Sequence, residues 1–132
     1  MGSVLSELMD EAKRSENADK CGMFLIHNGV VRATPRSLVR PDSLQNAEPD
    51  KECVGIDFDY DDEKVKAGID AALSKEGIYY AKIRLNRGRL KVGDDIMYVI
   101  VGGDIREHVS EALMSLVAYL KSECVTEREV FK

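Results

Sequence analysis

The chain has 132 residues, 44% hydrophobic and 33% charged, with 10 glycines, 3 prolines and no tryptophan, a composition that suits one globular domain and leaves too little chain for two. Its 19 basic and 24 acidic side chains give a net charge of -5, so nucleic acid is not expected as a partner, because phosphate neutralisation needs a broad cationic face. The longest apolar runs, Met23 to Ile26 and Ile96 to Val101, fall far short of the ~20 residues that carry a helix across a bilayer, and no membrane role is expected.

The start, Met1-Gly2-Ser3 followed by Glu7, Asp10 and Glu11, lacks the basic and then apolar pattern of a secretory signal, which points to a cytoplasmic protein. Val4, Leu5, Leu8, Met9 and Ala12 recur at helical spacing behind Ser3, a good N-cap, and predict a short helix within an N-terminal segment reaching residue 20. Cys21 to His27 is mostly apolar on both faces, as in a buried strand, and His27-Asn28-Gly29-Val30 is read as a break before a second strand at Val31 and Arg32. Residues 33 to 50 carry all three prolines and no periodicity, the pattern of a long surface loop.

Val54, Ile56, Phe58 and Tyr60 alternate with Gly55, Asp57 and Asp59, which predicts a strand with an acidic outer face. Asp61 or Asp62 then caps a helix whose buried stripe would be Val65, Ile69, Ala72 and Leu73. Ile78 to Leu85 reads as a strand with Ala81, Ile83 and Leu85 inward and Tyr80, Lys82 and Arg84 outward. Asn86 to Leu90 reads as a basic turn and Lys91 to Asp95 as a tight connection into Ile96–Val101, which is apolar on both faces and so central. Asp104 with Glu107 resembles a capping box, and Ile105, Val109, Ala112, Leu113, Leu116, Val117 and Leu120 keep helical spacing for about five turns. The expected class is therefore α+β, helices packed on a sheet of mixed, largely antiparallel pairing, with a long C-terminal helix.

Few residues stand out for chemistry. Cys21, Cys53 and Cys124 are odd in number and widely spaced, so they read as reduced thiols, and His27 and His108 lack ligand spacing, so no metal or other cofactor is expected. Arg32, Arg36 and Arg40, and then Arg84, Arg87, Arg89 and Lys91, form two short cationic stretches in an acidic chain and could build a local anion site. Gly102-Gly103-Asp104 ahead of Arg106 could present free helix N–H groups and a guanidinium to a phosphate, although an exposed first-turn Arg explains it as well. Lys121 lies 15 residues beyond Arg106, roughly 22 Å along a straight helix, so the two cannot share one site within one subunit. Taken alone, Lys121 is a solvated lysine that complements a helix C-terminus.

Gly29-Val30-Val31-Arg32, Gly88-Arg89-Leu90-Lys91-Val92-Gly93-Asp94-Asp95, Asp104-Ile105-Arg106 and Tyr119-Leu120-Lys121 occur in an order that resembles the large, catalytic subunit of molybdopterin synthase, the MoaE-type family. The similarity runs from about Gly22 to Glu129 and is firmest from Gly88 onward. It implies an α/β-hammerhead fold in a single domain. It also implies molybdenum cofactor biosynthesis: sulfur transfer, without a metal, from the C-terminal thiocarboxylate of a small ubiquitin-like, MoaD-type subunit to cyclic pyranopterin monophosphate. By that resemblance Arg32 and Arg106 would bind the pterin phosphate, Lys121 would meet the partner's Gly-Gly tail, and the chain would form a homodimer with a small subunit at each end.

Two positions depart from the family pattern. Ile105 stands where a His usually precedes the helix-opening Arg, and it can neither donate a hydrogen bond nor titrate. Glu127-Arg128 stands where a Trp-Lys pair carries a second active-site lysine; Arg128 would keep the charge but cannot act as a neutral amine. The resemblance thus gives Lys121 and Arg128 as catalytic candidates in a sulfurtransferase. The alternatives are a catalytically inactive dimeric module that binds a Gly-Gly-tailed ubiquitin-like protein, or one that binds a phosphorylated metabolite.

Overall fold

The computed structural model describes residues 3–34 and 52–131, and the greater part of the proline-bearing segment lies outside them. Helix α1 (Val4–Lys13) is followed by a single 3-10 turn at Ala18–Lys20. Strands β1 (Met23–Val30) and β2 (Cys53–Tyr60), helix α2 (Asp62–Leu73), strands β3 (Ile78–Leu85), β4 (Gly88–Lys91) and β5 (Asp95–Gly103), helix α3 (Arg106–Tyr119), a π turn (Leu120–Cys124) and strand β6 (Val125–Phe131) complete it. The strands form two antiparallel sheets, β1-β5-β3 and β4-β2-β6.

The first sheet is built around β5, whose residues from Met97 to Gly103 are all buried, because helices cover both its faces. Met97, Val99 and Val101 point to the side of α2 and α3, where they join Val109, Ala112, Leu116 and Leu120 with Ile56, Phe58 and Leu90 of the second sheet in one core. Tyr98 and Ile100 point to the other side and pack with Leu8 and Ala12 of α1. This second layer corrects the reading of Tyr80 as outward to solvent. Its ring packs edge-on against Phe24, centroids 6.0 Å apart, under α1, and Lys82 reaches Glu11 of the same helix at 2.8 Å.

Local capping chemistry sets the helix starts. Ser3 accepts from the Ser6 amide at 3.1 Å and Asp61 from the Lys64 amide at 3.1 Å, each satisfying a first-turn N–H that has no intrahelical acceptor. At α3 the expected capping box is replaced. The N-cap residue is Ile105, which has no side-chain acceptor, while Asp104 accepts from the Ile105 amide at 2.7 Å and bonds His108 Nδ1 at 2.8 Å. On α2, Leu73 is exposed and Gly68 is buried instead, because the Tyr119 ring occupies the space a side chain at 68 would need.

Other differences from the sequence expectations arise from bulges and edge strands. His27-Asn28-Gly29-Val30 does not end β1; the strand runs through, with the register shifting only between Gly29 and Val30, and Val31 and Arg32 leave the sheet rather than start another strand. In β2 an irregularity between Cys53 and Gly55 turns Val54 out, 40% exposed, since an extra residue flips the two-residue alternation. The basic segment at Asn86–Leu90 contains strand β4, paired with β2, and the C-terminal helix is followed by a further strand, β6, also paired with β2. Gly103, where β5 meets α3, has no room for a side chain: a Cβ there would strike the Gly77 carbonyl and the Val109 side chain. Gly103→Ala should lower unfolding stability by roughly 1–3 kcal/mol, the usual cost of overpacking; urea denaturation would measure it.

Candidate functional site

The path of α3 decides which candidates meet. Gly103 of β5 lies opposite Met23, and Asp95 opposite Val30, so α3, starting just after Gly103, begins over the Met23 end of β1. It packs on β1 and β5 and runs back along them. Fourteen helical residues cover ~21 Å at 1.5 Å per residue, nearly the ~23 Å span of an eight-residue strand. The helix therefore ends over the Val30 end of β1. Leu120 is fully buried there, and it anchors the π turn that carries the exposed Lys121.

At the same end β1 presents His27 on the α3 face, two and four residues beyond Leu25 and Met23, which pack in the α3-side core. His27 is half-buried. Burial holds its imidazole below the ordinary histidine range, and the charge of Lys121 presses it further down. Arg32 follows β1 at this end, exposed, with its Nε donating to the Thr34 carbonyl at 3.1 Å. Val31 beside it is buried and fixed to the β4–β5 turn, its amide donating to the Asp94 carbonyl at 3.0 Å and its carbonyl accepting from Gly93 at 2.8 Å. The backbone behind Arg32 is thus rigid, while its side chain is exposed.

Arg106 opens α3 at the opposite end of the molecule, exposed, so one chain does not bring it to Lys121 and Arg32. Around it the first turn is organised by Asp104 and His108, with Glu76 3.9 Å from His108 Nε2. Ile105, in the position that the family resemblance gives to a histidine, is 47% exposed. The hydrogen bond from His108 pulls the Asp104 carboxyl down, and the same bond raises the His108 imidazole. A raised histidine stabilises the fold below its ordinary value of about 6.5 and loses that contribution as pH rises through the folded value; a lowered aspartate contributes above about 3.9 and loses it on acidification. The clamp is therefore strongest between about pH 4 and 6.5. Thermal melts of His108→Gln should show the largest deficit at pH 5 to 6 and a shrinking one above pH 8.

Arg128 lies on β6 opposite Asp57, in the second sheet. Asp57 is bonded to Arg89, and its carboxyl is held low by that bond first, with the Arg128 charge adding to it. Arg87 pairs in the same way with Asp59 and lies 4.2 Å above the Tyr60 ring. Arg87 and Arg89 are thus neutralised by the acidic face of β2 beside the β2–β4 pairing and do not form an anion site. Arg36 and Arg40 lie outside the described residues. No group of metal-ligating side chains occurs among the described residues, and among them no helix is long and apolar enough to cross a membrane.

Two antiparallel sheets, a core helix ending on a lysine-bearing π turn and an arginine leaving the neighbouring strand define an α+β protein that carries a lysine and an arginine at one end of its first sheet. The family model for MoaE protein matches residues 4–123, and the chain belongs to the MoaE family, whose membership supports a role in molybdenum cofactor biosynthesis. Solved structures share the fold. Molybdopterin synthase from Staphylococcus aureus superposes with a TM-score of 0.71 at 14% identity, over 96% of this chain and 85% of that one. A complex of subunits 1 and 2 of molybdopterin-converting factor from Helicobacter pylori gives 0.67 at 16%, over 98% and 80%. The molybdopterin biosynthesis MoaE protein from Burkholderia ambifaria gives 0.67 at 18%, over 98% and 83%. No curated protein matches at the sequence level.

Proposed function

We propose that the chain is the large subunit of a cytoplasmic molybdopterin synthase. It would move sulfur from the C-terminal thiocarboxylate of a small, MoaD-type ubiquitin-like subunit to cyclic pyranopterin monophosphate. In that transfer the tail's sulfur forms a carbon–sulfur bond at a pterin side-chain carbon as a carbon–oxygen bond there breaks and its oxygen departs, and attack of water then breaks the acyl carbon–sulfur bond, which frees the tail as a carboxylate. The observation that carries the reading is the convergence of the Lys121 turn and the Arg32 segment at one end of the first sheet.

Each side chain has a physical task there. Arg32 offers a planar fork of donors that matches a phosphate through two parallel bonds. Lys121, a compact ammonium, suits the single charge of an arriving thiocarboxylate. Arg106, at the far end of α3, reaches such a site only from a second copy, which favours a homodimer whose sites are completed across the interface. Arg128 would add positive charge from the second sheet.

A second reading, a catalytically inactive module that binds a Gly-Gly-tailed ubiquitin-like protein, draws support from exposed Ile105 and from Arg128 facing Asp57. Binding of a different phosphorylated metabolite is less favoured, because Arg87 and Arg89 are occupied by Asp59 and Asp57. The deciding experiment mixes the purified chain with a thiocarboxylated small partner and cyclic pyranopterin monophosphate. Molybdopterin formation is expected; a stable complex without product would support the inactive module instead.

A further inference from the structure

The π turn that follows α3 is fastened at both of its ends to the start of α2. At the leading end the Tyr119 hydroxyl donates to the Lys64 carbonyl at 3.0 Å, and the ring fills the space over Gly68, where a Cβ would come within 2.7 Å of Tyr119 Cε2. At the trailing end the Cys124 carbonyl accepts from the Asp61 amide at 2.9 Å. Asp61 also joins the two fastenings, because its carboxylate caps α2 by accepting from the Lys64 amide at 3.1 Å. The bonds thus make a closed circuit from Tyr119 to Lys64, Asp61 and Cys124 and back through the turn. Within that circuit Leu120 and Cys124 are buried, while Lys121, Ser122 and Glu123 are exposed. Such π turns are rare, occur mostly as single coils and are found frequently at functional sites.

We propose that Tyr119 is a positioning residue that acts through the backbone: its hydroxyl bond to α2 fixes the leading end of the π turn, and with it the place from which Lys121, two residues on, leaves the chain. This rests on the sulfur-transfer reading for its consequence in turnover, but the fastening itself can be tested without it. Ring and hydroxyl have separate tasks. The ring over Gly68 sets how closely α2 and α3 approach, whereas the directional bond sets where the turn stands along α2. Without that bond the coil can shift while the helices stay packed, and a displacement of about 1 Å at a reacting group can cost about 10²-fold in rate.

Two measurements on the full-length chain decide it. Tyr119→Phe keeps the ring and loses only the hydroxyl, so amide hydrogen exchange should quicken about tenfold at residues 121–123 while the amides of β5 keep the parent rates. A quickening no greater at the turn than in β5 would overturn the fastening, whether or not the chain transfers sulfur. In the assay with thiocarboxylated partner, Tyr119→Phe should lower kcat about fivefold with KM for the pterin changed less than about twofold. The same substitution made together with Lys121→Met should change the residual rate by less than about twofold, because no ammonium is left to misplace. A loss as large in the Lys121→Met background as in the parent, or a Tyr119→Phe chain as fast as the parent, would overturn the positioning role. Quickened exchange confined to the turn in a chain that makes no product would support the fastening and count against the sulfur-transfer reading alone.

Discussion

Lys121→Ala is expected to lower sulfur transfer by about 10²–10³-fold, the usual loss when one preorganised charge is removed from a developing anion. The fold should barely notice, because an exposed side chain removed from a surface turn ordinarily changes stability by no more than ~0.5 kcal/mol. The two effects are separated by measuring product formation and urea midpoints on the same preparation. Lys121→Arg refines the outcome: guanidinium restores the charge but neither the compact geometry nor an amine that can lose its proton. A fixed-charge role predicts partial recovery in Arg, whereas an amine role predicts none. Turnover of the alanine variant within tenfold of the parent would remove Lys121 from the mechanism.

Leu120→Ala is expected to cost about 2–5 kcal/mol of unfolding stability, because a fully buried leucine is lost and the cavity collapses only in part. Leu120 is 0% exposed and belongs to the core that joins both sheets and the helices. Leu73→Ala on α2, 42% exposed, makes the control, with an expected change within ~0.5 kcal/mol. Because Leu120 seats the turn that carries Lys121, its truncation should also lower turnover at temperatures where the variant remains folded. Denaturation curves and single-temperature assays together would test that coupling; equal urea midpoints for the two leucine variants would contradict the assigned burial.

The elements read correctly from sequence are those whose signal is local. Strand β5 announces itself as an unbroken apolar run, α3 as a sustained helical stripe, and Ser3 and Asp61 as side chains able to bond the amides just ahead of them. The elements that escaped the reading owe their existence to distant partners. Strand β4 is four residues long and β6 alternates charges, Glu127, Arg128 and Glu129; neither carries an apolar pattern of its own, and both form because β2 offers an edge on each side.

The same separation hid the fate of the charges. Arg87 and Arg89 look like a free cationic cluster until the register of β2 against β4 sets them on Asp59 and Asp57. For the candidate site, the roles of Arg32, Arg106, Lys121 and Arg128 came from family resemblance; helix length in the sequence already set Arg106 apart from Lys121, and the direction of α3 adds that Arg32 lies at the lysine's end.

The π turn between α3 and β6 governs parity. Asp57 faces Arg128, and Phe58 faces Glu127, so successive residues of the last strand alternate between the outer surface and the buried layer. Removing a single residue from Lys121–Glu123 would tighten the coil and advance the strand by one step, sending Arg128 inward against Phe58 and its glutamate neighbours outward. Changes of length in this hinge should therefore be tolerated in twos rather than ones: five residues act as a phase-setting gear between a helix that aims a lysine and a strand that closes a sheet.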